Sequence, residues 1–160
     1  MLKTSNQMDK KELLASAGVL KQVSKSACSE YNKAGDHLVA QMNELMLKRS
    51  DLLSLIGDGN EEMMKDNHAN HVRFIASVLK NYHPDVLVDT VLWVFRAYRS
   101  HGFTTNYWAA QLNAWISILK ETLSEEAYHE IYPLYEWMQI NIPLFVKLSD
   151  QQLSASNSLH

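Results

Sequence analysis

Glycine and proline are scarce here: five and three in 160 residues. An all-β chain needs many tight turns, and these two residues supply them, so the shortage argues for helices. Cysteine is scarcer. Cys28 stands alone, which excludes an internal disulfide and favours a reducing, cytoplasmic setting. Long apolar runs are missing. The longest, Val91 to Phe95, is far short of the roughly 20 residues of a membrane span. Lys10, Lys11 and Glu12 interrupt any signal-peptide stretch near the start. Neither sign of charge dominates, and a net charge of −3 speaks against nucleic acid as the main partner. Enzyme signatures are missing as well: no Gly-rich phosphate loop, no Gly-x-Ser-x-Gly, no His-Glu-x-x-His. No nucleophile–base pair can be assembled, so neither catalytic residues nor an enzyme are predicted.

What is present is helical periodicity. Hydrophobic residues make up 46% and charged residues 21%, ordinary for one globular domain of this length. The pattern predicts an all-α fold, a single bundle of five to six helices over residues 9–148. A frayed start over 1–8 and a disordered polar tail over 149–160 flank it. The first helix begins near Asp9, with Leu13 and Ala17 on its weak apolar face. A long second helix is predicted from about Ser29 to Ile56, with Gly35 as its weak point. Asn60 caps the third, which ends before Pro84. The fourth, Pro84 to Ser100, is apolar almost all round and should be central, with Trp93 in the core. Trp108, Leu112, Trp115, Leu119 and Leu123 form the stripe of the fifth. Ser124 caps the sixth, and Pro133 and Pro143 predict a kink or break near each.

The most informative residues are two histidines on an apolar stripe. Met64, Ile75, Val78, Leu79 and Tyr82 recur at helical spacing, and His68 and His71 occupy places where Leu is expected. A buried imidazole needs a hydrogen-bond partner, a ligand or a metal. His68 and His71 are therefore candidate ligand-binding residues, with Trp93 facing them across a pocket and His71 the more buried of the pair. Structural histidines with hydrogen-bond partners are the competing reading. So is a haem, tetrapyrrole or metal site using His71, although no metal ligand set is complete in the sequence. No particular cofactor is implied. Glu126-x-x-His129 is half of a di-iron carboxylate signature whose second half is missing.

Part of the chain resembles a known family. His68, His71, Phe74, Leu79, Leu87, Val91, Trp93, Arg99, Gly102, Leu112 and Leu119 follow a spacing similar to that of helical domains that precede cobalamin-binding domains in bacterial regulatory and sensor proteins. The likeness covers about residues 64–123. It implies a regulatory or sensory helical module acting through protein–protein contact. The Asp-x-His-x-x-Gly motif of cobalamin proteins is missing, and the chain stops where a cobalamin domain would begin, so cobalamin is not carried over and the module is expected to stand alone.

The second helix, at about 40 Å, would exceed a compact bundle of about 30 Å. Leu38, Met42, Leu45, Met46, Leu52 and Leu53 cover more than one stripe of it. Residues 1–50 carry eight Lys/Arg against five Asp/Glu, and the remainder carries seven against thirteen. Both features predict a homodimer through the N-terminal helices, with no nucleic-acid or membrane partner.

Overall fold

The computed structural model describes the backbone of residues 2–158 and the side chains of 7–150. These residues form eight helices and no strand: α1 (Leu2–Ala17), α2 (Lys25–Leu47), α3 (Leu52–Ile56), α4 (Glu61–Lys80), α5 (Pro84–Arg99), α6 (Thr105–Thr122), α7 (Glu125–Ile140) and α8 (Ile142–Ser158). The all-α class stands, but the count of five to six does not. Two predicted helices are each divided. The long second one breaks at Lys48–Asp51 rather than at Gly35. There Asp51 accepts two hydrogen bonds from Arg49, both 2.9 Å, and α3 turns away. Gly35 stays helical, and a Cβ on it would stand 3.4 Å from Val72 Cγ1 of α4. It permits close packing instead of a bend. The sixth predicted helix breaks before Pro143, at the α7–α8 joint, and runs on through Pro133.

The ends also differ from expectation. Backbone helix starts at Leu2, where a frayed segment was predicted, and α8 continues to Ser158 across the expected polar tail. Ser149, at the start of that tail, is buried and accepts a 2.7 Å hydrogen bond from Arg99. Side chains of 1–6 and 151–160 lie outside the described residues. With Leu38, Met42, Met46 and Leu52 buried within one chain, the argument that an uncovered stripe demands a second subunit is reduced to Leu45, Leu47 and Leu53, which remain exposed.

Short polar devices set the helix ends. Ser24 caps α2 and Ser124 caps α7, each hydroxyl accepting from the backbone N–H three residues on. Each serine is in turn held by a glutamate of the other helix. Ser24 N–H and O–H donate to Glu130, both at 2.8 Å. Ser124 N–H and O–H donate to Glu30 at 2.6 and 2.9 Å. The carboxylates sit at helix N-termini, where the dipole favours them. Ser24→Ala and Ser124→Ala should each lower the unfolding free energy by about 1–2 kcal/mol in urea titrations. A change under about 0.3 kcal/mol would show that the clasp contributes nothing. Asn60 is the N-cap residue of α4, as expected, but its side chain makes no cap hydrogen bond. Its amide donates to Ile56 O and His101 O at 2.7 and 2.8 Å, tying the α3–α4 turn to the α5–α6 turn.

The fourth predicted helix, now α5, is not central. Leu87, Val88, Val91, Leu92 and Phe95 are buried; α5 packs chiefly on α8 and α1, and Phe95 also stacks on Trp108 of α6 at 4.5 Å. Val86 and Trp93 point outward, and Trp93 is 58% exposed. Its assignment to the core is therefore corrected. All-round apolarity reflects two covered sides plus an apolar outer face.

Candidate functional site

Both histidines of α4 turn inward, to different surroundings. His68 is the fully buried one, the reverse of the expected order. Its Nδ1–H donates to Asn43 Oδ1 at 2.6 Å, which leaves Nε2 a buried acceptor without a partner. Such an atom costs about 1–3 kcal/mol. His71 is half-buried. Its ring stacks on Trp115 at 4.8 Å, and His68 meets the same indole edge-on at 5.9 Å. Loss of hydration pushes both imidazoles down to about 3, helped for His71 by the nearness of His68. Both are neutral at physiological pH.

Behind His71 runs a chain of phenols. His71 Nε2 lies 2.8 Å from Tyr135 Oη, which lies 2.9 Å from Tyr31 Oη. Tyr31 and Tyr135 are fully buried, and burial raises both hydroxyls well above their usual range. The chain links α2, α7 and α4 through the interior. Nothing in the helical stripes marks it, because a Tyr on an apolar stripe reads as core.

Beside His71 opens a cavity of about 220 Å³, with walls from α4, α5 and α6 and with Met138 of α7 and Phe145 of α8 also lining it. His71 and Trp93 both line it, whereas His68 does not. Most of the wall is aromatic or aliphatic: Phe74, Val91, Phe95, Tyr98, Trp108 and Leu112 belong to it. Trp93 is at once a wall and an exposed surface, which places it at the rim. Two buried amides, Asn67 and Gln111, supply fixed polar groups. Asn67 Oδ1 accepts from Tyr107 Oη at 2.7 Å and from Gln111 Nε2 at 2.6 Å. Sequence reasoning missed both amides, although the signal was there. Each is a polar residue on an apolar helical stripe, as the histidines are.

A larger groove of about 440 Å³ lies between the Val19–Val23 strap, the end of α4 and α7. Two of its polar groups, Gln22 and Glu130, are occupied in holding the fold. Gln22 binds Leu79 O and Tyr82 N, and Glu130 binds Ser24. The cavity at His71 is thus the better candidate site. Among the described residues, no three His, Cys, Asp or Glu side chains gather as metal ligands would, and no helix is long and apolar enough to cross a membrane. No protein-family model, curated protein or solved structure matches this chain.

Proposed function

We propose that this chain forms a sensory or regulatory helical module that admits a small molecule beneath Trp93 and transmits its presence through protein–protein contact. One observation carries the reading: an aromatic-walled cavity meets two buried amides and one edge of His71. A mostly apolar space with a few fixed polar groups is what small-molecule recognition requires. The resemblance of residues 64–123 to helical modules of cobalamin-dependent regulators supports the sensory side. Contact with a second copy through the N-terminal helices, or with another protein, would be the output. Met8, Val19, Leu45, Leu47 and Leu53 are exposed large apolar residues of that region. A catalytic role fits poorly, because an imidazole that titrates near 3 is a weak general base at neutral pH. Haem or metal ligation by His71 also fits less well. Its Nε2 faces Tyr135, its ring lies on Trp115, and a cavity of about 220 Å³ is too small for a haem macrocycle.

The test is a fragment screen followed by ¹H–¹⁵N spectra. Hits should shift resonances of Asn67, His71, Thr90 and Gln111, and Thr90→Trp, which fills the cavity from α5, should abolish those shifts. A screen in which no fragment perturbs these residues would overturn the reading.

A further inference from the structure

The polar atoms of the cavity define what it would take, given that it is a ligand site. No Asp, Glu, Lys or Arg lines it, and His71 is neutral, so a charged molecule would lose its hydration and gain no counter-charge. The flat walls of Phe74, Trp93, Phe95 and Trp108 favour a ring.

The amides specify an edge. Asn67 Oδ1 already receives two hydrogen bonds, and the second hydrogen of Gln111 Nε2 goes to Tyr107 Oη at 2.9 Å. The remaining atoms are Asn67 Nδ2, a donor, and Gln111 Oε1, an acceptor. Neither takes a partner from the described residues, and neither is among the enclosed, unpaired polar atoms of the chain. The space they face is the cavity their side chains line. The two amides are joined at 2.6 Å through Gln111 Nε2 and Asn67 Oδ1, so this donor and this acceptor belong to neighbouring side chains of one wall, and a ligand with a C=O and an N–H can answer both.

His71 adds one more group, and the phenol chain decides which. Tyr31 Oη is buried and, among the described residues, has Tyr135 Oη as its one hydrogen-bond partner. If Nε2–H of His71 donated to Tyr135, Tyr135 would donate to Tyr31, and the Tyr31 hydrogen would have no acceptor. In the opposite order Tyr31 donates to Tyr135, Tyr135 donates to Nε2, and every hydroxyl hydrogen is used. That order leaves the His71 proton on Nδ1, which has no partner among the described residues. On a side chain that lines the cavity, it is the unpaired donor that a ligand can use.

We infer that the ligand is an uncharged, flat heterocycle of one or two rings with a lactam edge. Its C=O and N–H pair with Asn67 and Gln111, and a second acceptor meets Nδ1–H of His71. Four two-ring probes test this by ¹H–¹⁵N titration: quinazoline-2,4-dione, 2-quinolone, naphthalene and 2-naphthoate. The dione should bind at least fivefold more tightly than 2-quinolone, and 2-quinolone at least fivefold more tightly than naphthalene. 2-Naphthoate should bind weakest. Gln111→Leu should bring 2-quinolone to the level of naphthalene while naphthalene binding is unchanged, which also shows that the variant is folded. If that variant fails to fold, the wild-type order decides alone. Naphthalene equal to 2-quinolone would overturn the lactam edge. A dione no tighter than 2-quinolone would overturn the role of His71, and tight 2-naphthoate would overturn neutrality. If none of the four binds while other fragments occupy the cavity, the ligand class is wrong and the site stands. If the fragment screen is blank too, the site itself falls.

Discussion

Lowering the pH from 7.5 to 5 is expected to remove about 4 kcal/mol of unfolding free energy, about 2 kcal/mol for each of His68 and His71. His68 and His71 titrate near 3 in the folded chain, against an ordinary 6.5. Below 6.5 the unfolded chain takes up protons that the folded one refuses, so stability is lost as pH falls. The loss continues towards pH 3, where the folded imidazoles finally charge. Most carboxylates titrate below this window, so the drop between pH 6.5 and 5 belongs to imidazole. Urea titrations at several pH values measure it. In His68→Gln/His71→Gln the slope over that interval should flatten, whatever the stability of the variant at pH 7.5. A wild-type unfolding free energy constant to within about 0.5 kcal/mol from pH 7.5 to 5 would mean that the pair is hydrated in the native state. Such a loss would be a large share of the ~5–15 kcal/mol typical of a domain.

Trp115→Ala should cost about 3–5 kcal/mol, and Trp93→Ala under about 1 kcal/mol. Trp115 is fully enclosed, with His71 on its face and His68 at its edge. Its removal leaves a void that two imidazoles cannot fill without losing Asn43 and Tyr135. Trp93 is mostly in water, so its truncation should weaken occupancy of the cavity and leave the fold intact. Denaturant midpoints at constant m-value give both numbers. Equal costs for the two substitutions would return α5 to the centre of the bundle.

These two tryptophans show how far helical spacing reaches. Trp115 lies on a 4-3-4-4 stripe with Trp108, Leu112, Leu119 and Leu123, and all five are buried. A stripe names the buried face because one neighbour is enough to cover it. Trp93 lies on a helix apolar all round, where spacing no longer distinguishes faces. There the neighbours decide, and α1 and α8 cover only part of α5. Helix breaks behave similarly. Gly35 and Pro133 are locally weak, yet tertiary packing carries helix through both. Lys48–Asp51 has no strong breaker, and the chain turns there to bury Leu52, Leu55 and Ile56.

By itself the sequence determined the helical class, the inward turn of His68 and His71, the cap at Ser124 and the break before Pro143. Each follows from local chemistry: period, burial of imidazole, an orphaned N–H, a missing one. Only the tertiary structure decided that His71 joins Tyr135 and Tyr31 while His68 joins Asn43, and that Asn67 and Gln111 share one cavity with Trp93. Those partners stand 25 to 64 residues apart for the hydrogen-bonded pairs of the two histidines. Whether such distant side chains meet depends on how the helices cross, which single-helix periodicity does not encode.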